Sequence, residues 1–404
     1  MDATKTGPWL SQRSLKTVMS WIEVCFSGPA LYNLQKSLSL INVIRLTDMR
    51  MSTMGQESQG LTGRTVYFDY LRVIASLAVM VLHVSSQYWS SIDVNRFAWQ
   101  VFNCYDGIVR WGVPIFVMIS GALFLSREIP IKRIYSKYVL RMASSFFVWS
   151  TIYALVVGGS PTEILAAIVS GHYHMWFILM IIGLYVTIPV VKPMVENDER
   201  CRYFLLLSLV FAFVLPWSMT LMDDLGSPLV VALSRAMRSG FNDMNVRVFT
   251  GFVGFFVLGY YLNRVELDKR QRAAIYVLGL IGFVFTVVMT SVVSLRAQKC
   301  DGYYYGNFTV NVLCEVLAVF TWFKYRSYNN DRANRFVLKL SRYCFGAYLV
   351  HPLIIRQLRM NLGIHALMFN PIASVPCISL LVFVISFGIA ALLNRVPVVR
   401  DYMV

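Results

Sequence analysis

The chain contains an apolar run, from Tyr67 to His83, that is long enough to cross a bilayer as a helix and that holds two ionisable residues. Arg72 and His83 are almost three helical turns apart, so their side chains share one face about 16 Å apart along the axis. An ionisable group at the centre of a span costs at least about 2.5 kcal/mol and persists mainly where it lines a cavity or takes part in chemistry. The pair therefore predicts a functional site inside the membrane, with a helix-packing histidine and a snorkelling arginine as the alternative.

Apolar runs of this length recur along the chain. Hydrophobic residues make up 57% of it, charged residues only 14%, and the mean hydropathy is +0.58, a composition that excludes a soluble globular protein. We predict an all-α, polytopic integral membrane protein with about ten transmembrane helices in a single membrane domain. The predicted spans lie near residues 70–90, 110–126, 139–158, 174–193, 203–222, 247–263, 273–295, 307–324, 342–360 and 372–394.

The distribution of basic residues predicts the orientation. A net charge of +16 could indicate nucleic acid as a partner, but Lys and Arg are concentrated in alternate connections, such as 127–141 and 324–342, as the positive-inside rule describes. Both termini are then expected in the cytoplasm, with Arg72 near the cytoplasmic face and His83 beyond mid-depth toward the outside. No nucleic-acid partner is predicted.

The chain is predicted to divide into three parts. Residues 1–64 are mixed in character and rich in Ser and Met, and we expect a cytoplasmic extension, partly disordered, in which Met51 and Met54 are alternative starts. Residues 65–395 form the predicted membrane domain and residues 396–404 a cytoplasmic tail. The seven cysteines stand singly, without Cys-x-x-Cys spacing or a Cys/His ligand pattern, so no metal site is predicted.

Polar residues at the second and third predicted spans are candidates for ligand contacts. Arg110 is expected to mark the outer end of the second span, and Ser120-Gly121 permits close approach of a neighbouring helix or a ligand. A basic connection then ends in Lys137 and Arg141, which enter the third span from the cytoplasm. Such side chains suit phosphate or pyrophosphate at this level, although topogenic charge explains them equally well.

Two further motifs contain histidines. His174 lies beside Trp176 at the start of the fourth predicted span, where Trp176 fits the aromatic belt and His174 is a candidate titrating group. Tyr348 and His351 are three residues apart in the ninth predicted span and share one helix face. With His83, the sequence thus offers three histidines as candidate catalytic or binding groups.

In their order and depth these motifs resemble membrane acyltransferase family 3. The resemblance covers roughly residues 65–395 and rests on Arg72 with His83, Val113-Pro114-Ile-Phe followed by Ser120-Gly121-x-Leu-Phe, His174-x-Trp176-Phe177, and Tyr348-Leu-Val-His351-Pro352. The compact form is similar to the enterobacterial common antigen O-acetyltransferase type.

The resemblance implies an O-acetyltransferase of the bacterial inner membrane. It would move an acetyl group from cytoplasmic acetyl-CoA, its donor substrate, to a hydroxyl of an envelope polysaccharide or its undecaprenyl-linked precursor. Arg72 with the Lys137 and Arg141 region would hold the phosphates of CoA, and His83 would accept the proton of the sugar hydroxyl or briefly carry the acetyl group. The family often has Arg-x-x-Arg at the start of the third span, where this chain has Tyr138 and Arg141.

His174 is the further catalytic candidate. The candidate substrate-binding residues that remain are Arg110, Ser120, Trp176, Tyr348 and His351. A proton-coupled transporter or lipid-linked glycan flippase is the alternative function, with the same histidines as proton relays. No internal repeat is visible, and a basic inner patch paired with a deep histidine suits a charged cytoplasmic donor, which favours the enzyme.

Overall fold

In the computed structural model, which describes residues 65–244 and 250–404, every regular element of the described part is a helix. The predicted extension 1–64 lies outside the described residues. The helices are α1 Val66–Ser85, α2 Phe97–Gly107, α3 Gly112–Phe124, α4 Ile131–Val157, α5 Pro161–Ser170, α6 Trp176–Val195, α7 Asp198–Leu225, α8 Pro228–Asp243, α9 Val253–Arg264, α10 Lys269–Ala297, α11 Val310–Lys324, α12 Asp331–Ser341, α13 Cys344–Leu362, α14 Pro371–Leu393 and α15 Pro397–Tyr402. Helix α4 contains a π-helical turn at Ile134–Val139, and α7 contains one at Leu209–Val214.

The prediction of an all-α polytopic membrane protein is confirmed. Eight helical stretches of the described chain are long and apolar enough to cross a membrane, with α2 and α3 counted together. The predicted spans near 247–263 and 342–360 correspond to α9, which has only 12 residues, and to α13, whose second half carries Arg356 and Arg359. The count of ten and the location of the termini therefore stay predictions.

Four helices, α2, α5, α8 and α12, lie in predicted connections. Helix α2 precedes the predicted start of the second span at residue 110, and its Trp99 and Phe102 are fully buried, so apolar packing continues upstream of Arg110. Arg110 lies between the end of α2 and the start of α3 at Gly112, so it stands at a helix end, and the side of the membrane that this end faces stays a prediction. Helix α8 follows the fifth span, where Pro228 at its start provides a favourable first-turn residue.

Helix α1 lies at the centre of the bundle. It packs against α2, α3, α12, α13 and α14. Its small residue Ala75 is fully buried, as is Leu71, whereas Arg72 and His83 keep partial exposure to internal space. A helix surrounded in this way can present its polar residues to cavities inside the protein.

Two glycines allow α3 and α9 to approach closely. A Cβ on Gly121 would overlap the backbone carbonyl of Phe256, and a Cβ on Gly259 would overlap that of Met118. The contact is thus reciprocal, backbone against backbone, as small residues permit between membrane helices. The close approach of a neighbouring helix that was predicted at Ser120-Gly121 is observed.

We expect Gly121→Ala to destabilise the protein by about 1–3 kcal/mol, because the added methyl group must push α3 away from α9. Thermal unfolding of the detergent-solubilised protein measures the effect. Gly183→Ala in α6 is the matched control, since a Cβ there meets no atom within 4 Å. Equal melting temperatures for the two variants would contradict the close contact.

Candidate active site

A cavity of about 270 Å³ opens beside α1 and is lined by three arginines, Arg72, Arg141 and Arg342. Val79 also lines it, two turns beyond Arg72 on α1, so the cavity extends about 10 Å along this helix toward His83. Its other walls are largely aromatic. An adjoining cavity of about 280 Å³ shares several of these lining residues, Arg72 and Arg141 among them.

Arg72 is held by a buried carboxylate on its own helix. Its Nη1 lies 3.1 Å from Oδ1 of Asp69, one turn earlier. The same Oδ1 accepts a hydrogen bond of 2.8 Å from the hydroxyl of Ser341, the last residue of α12. Asp69 is almost fully buried, whereas a quarter of the Arg72 side chain is exposed. The pair therefore fixes Arg72 while leaving part of its guanidinium group open to the cavity.

The other two arginines come from distant parts of the chain. Arg141 follows the π-helical turn of α4, and its Nη2 donates a hydrogen bond to the backbone oxygen of Val404. Arg342 directly follows α12 and is exposed. Because Ser341 is bonded to Asp69, the turn that carries Arg342 is tied to the helix that carries Arg72.

Four of the five histidines of the chain lie together near the far end of α1. The ring centroids of His83 and His351 are 5.1 Å apart, and those of His351 and His174 are 5.7 Å apart. His172 extends the group, with its Nδ1 3.0 Å from Nδ1 of His174. Gly171, with φ of 75°, begins the short loop that carries His172 and His174 between α5 and α6.

Hydrogen bonding sets the protonation of His351. Its Nδ1 is 2.6 Å from the backbone oxygen of Tyr348, and a carbonyl only accepts, so Nδ1 carries the proton. Its Nε2 is buried without a hydrogen-bond partner, as is Nε2 of His174. In the neutral ring the Nε2 of His351 therefore has a free lone pair.

The pKa of His172 lies below its ordinary value, because burial and, to a smaller extent, the charge of Arg356 disfavour the protonated ring.

Tyr348 joins the cavity to the histidine cluster. It lines the arginine cavity, and its ring lies 5.4 Å from that of His174 and 5.8 Å from that of His351. Its hydroxyl donates a hydrogen bond of 2.5 Å to the backbone oxygen of His174. The arginines and the histidines are thus two ends of one site, with His83 one helical turn beyond the cavity-lining Val79.

The structure brings together most of the residues that the sequence singled out. Arg72, Arg141, Ser120 and Tyr348 line the two cavities, and His83, His174 and His351 form the cluster.

Three candidates lie elsewhere. Lys137 is exposed, with its ammonium 5.8 Å from the ring centre of Tyr138, and lines neither cavity. Trp176 is exposed on the surface of α6. Arg110 forms an ion pair of 2.5 Å with the buried Asp106 and lies 3.9 Å over the ring of Tyr305. Arg110 is thus paired inside the protein, and the Trp176 ring lies 5.7 Å from that of Phe252.

Sequence reasoning missed Arg342 and His172. Arg342 was counted among the charges that set orientation, although it stands only six residues before Tyr348 and two before the start of α13. His172 is two residues before His174, a spacing that carries no helical signal because both residues lie in a loop. Both residues join the site through folding contacts with segments that are distant in sequence.

The helical bundle defines a polytopic membrane protein, and the arginine-lined cavity beside a histidine cluster is typical of an enzyme. A family model described as an acyltransferase domain matches residues 65–391, and the chain belongs to this family, acyltransferase family 3. It is therefore a membrane acyltransferase, and the resemblance seen in the sequence is confirmed. No curated protein and no solved structure matches the chain. Membership of an enzyme family favours the acyltransferase over the transporter alternative.

We expect Tyr348→Phe to lower the free energy of unfolding by about 1 kcal/mol, because it removes the buried hydrogen bond to His174 and keeps the ring. Chemical or thermal unfolding in detergent measures this effect. Tyr203→Phe is the control, since the Tyr203 side chain is exposed. Unchanged stability in Tyr348→Phe would contradict the hydrogen bond.

Proposed function

We propose that this acyltransferase moves an acetyl group from acetyl-CoA to a hydroxyl group of a bacterial envelope polysaccharide or of its lipid-linked precursor. The observation that carries the proposal is the single site in which three arginines and a histidine cluster are joined along α1 through Tyr348. The arginine end suits an anionic donor, and the histidine end suits proton transfer at a hydroxyl.

The arginine cavity fits the chemistry of CoA. The donor carries a diphosphate and a further phosphate, and guanidinium groups bind phosphate oxygens through forked, charge-assisted hydrogen bonds. Arg72 has its buried acid partner, while Arg342 is exposed beside it. Phe116, Phe177 and the other aromatic walls would contact the adenine ring and the apolar parts of the pantetheine arm.

The histidine cluster supports the chemical step. The attacking sugar oxygen forms a bond to the acetyl carbonyl carbon while the carbon–sulfur bond of the donor breaks. The hydroxyl proton is taken by a histidine and passes to the sulfur of CoA, so atoms and charge balance. His83 is the proposed base or acetyl carrier, and the free Nε2 of His351 beside it can accept its proton. His174, next to His351, would complete the relay.

The orientation follows from the basic connections. The positive-inside rule would place the Arg72 end of the site at the cytoplasm, where acetyl-CoA is made, and the histidine loop toward the outside. A site of this depth would let a cytoplasmic donor meet an acceptor from the other face of the inner membrane. The likeness to the enterobacterial common antigen O-acetyltransferase type supports an envelope glycan as the acceptor.

We expect cells that lack the gene to lose acetyl groups from an envelope polysaccharide, and we expect the wild-type protein but not His83→Ala to restore them. Mass spectrometry of the purified polysaccharides at matched membrane abundance measures this, since each acetyl group adds a fixed mass. His365→Ala is the control, because His365 lies outside the cluster with its ring 5.5 Å from that of Tyr88. Restoration by His83→Ala would remove His83 from the chemistry.

We also expect Arg72→Ala and Arg342→Ala each to weaken CoA binding by about tenfold or more, since each removes charge-assisted hydrogen bonds to phosphate. Isothermal titration of the purified protein with CoA measures the affinity, which should also fall with added salt. Arg335→Ala, on the exposed side of α12, is the control. Equal affinities in the variants and the wild type would argue against the arginine cavity as the donor site.

A further inference from the structure

The last residues of the described chain dock against α4 beside the arginine cavity. Val404 is 2% exposed and packs in one apolar cluster with Phe146 and Trp149 of that helix. The backbone oxygens of this segment accept hydrogen bonds from side chains of α4, as Trp149 Nε1 donates to Met403 O at 2.8 Å.

Serine side chains extend this set of contacts. Ser144 Oγ donates to the backbone oxygen of Tyr402 at 2.6 Å, and Ser145 Oγ lies 3.2 Å from the same atom. With Arg141 and Trp149, four side-chain donors within residues 141–149 of α4 thus meet the backbone oxygens of three consecutive residues, 402–404. Such a row of side-chain bonds to main-chain oxygens fixes the segment along the helix.

The Arg141 guanidinium is used only in part by this contact. Its Nη2 donates to Val404 O, while its Nε is buried and has no hydrogen-bond partner. Arginine has five donors in a fixed planar fork, so a bond on one side sets the direction of the others. Arg141 lines both cavities, and the donors that are left can meet a ligand there.

We propose that segment 397–404 is a positioning element of the donor site, which orients Arg141 toward the phosphates of the donor through the bond to Val404 O. This inference rests on the proposed function, because it takes the arginine cavity as the site for CoA. The segment thus supplies the acceptor oxygen that orients one side of the guanidinium group.

The arrangement favours positioning over competition with the donor. A competing segment would occupy the cavity and leave easily, whereas this one buries an apolar side chain in the core of the bundle and satisfies several buried donors. Removing it would leave Trp149 Nε1 without this acceptor, a state that buried polar groups disfavour. An Arg141 side chain that the segment already orders would lose less conformational entropy when it binds the donor.

The test measures CoA binding to the full chain in lipid nanodiscs by isothermal titration, together with the donor KM and kcat. Deletion of Met403 and Val404 should weaken CoA binding about tenfold, roughly the effect of one charge-assisted hydrogen bond. The donor KM should rise while kcat at saturating donor stays unchanged, because Arg141 would contact the donor far from the reacting bond. In an Arg141→Ala background the deletion should have little further effect.

Two further variants separate positioning from folding. Trp149→Phe keeps an aromatic side chain while it removes the bond to Met403 O and part of the buried indole, so CoA binding per folded molecule should weaken about threefold even if the deletion does not fold. Val398→Ala is the control within the segment, because the Val398 side chain is exposed, and its affinity should match the wild type.

The possible outcomes are distinct. Unchanged affinity per folded molecule in the deletion and in Trp149→Phe would overturn the inference and leave the donor site intact. Tighter binding after the deletion would also overturn it, since the segment would then compete with the donor. A wild-type protein that does not bind CoA would overturn the proposed function together with the inference.

Discussion

The site depends on the ion pair between Asp69 and Arg72 inside the central helix. A charged side chain in an apolar bundle is stable only with a partner, and Asp69 supplies one within a single turn of α1. Because Asp69 also accepts from Ser341, the same carboxylate ties the end of α12 to α1 and brings Arg342 to the cavity. One buried acid thus places two of the three arginines that face the donor cavity.

The packing of α3 against α9 shapes a wall of the same cavities. The reciprocal contact of Gly121 and Gly259 draws α3 against α9, and α3 in turn carries Phe116 and Ser120 along the cavity wall. The histidines reach their cluster from three places, namely α1, α13 and the loop before α6. Close helix packing therefore sets the distances between the histidine rings, on which proton transfer depends.

Much of the fold and part of the site could be predicted from the sequence. The all-α membrane architecture and the acyltransferase family are confirmed, because long apolar runs and ordered motifs are local signals. Helix α3 starts at Gly112, close to the predicted residue 110, but the preceding helix α2 was not predicted, since Trp99 and Phe102 are buried by tertiary packing that hydropathy alone does not show. Lys137 was expected to bind the donor together with Arg141, yet it is exposed in the π-helical turn of α4 and lines neither of the two described cavities.

The sequence by itself determined that the chain crosses a membrane in helices and that Arg72 and His83 share a face of one of them, because helical periodicity and hydropathy act over short distances. Only the tertiary structure decided what those two residues face. Arg342, His172 and the oxygen of Val404 join the site from segments far apart in the chain. Such contacts follow from how helices pack, and a linear pattern contains no measure of the distance between two helices.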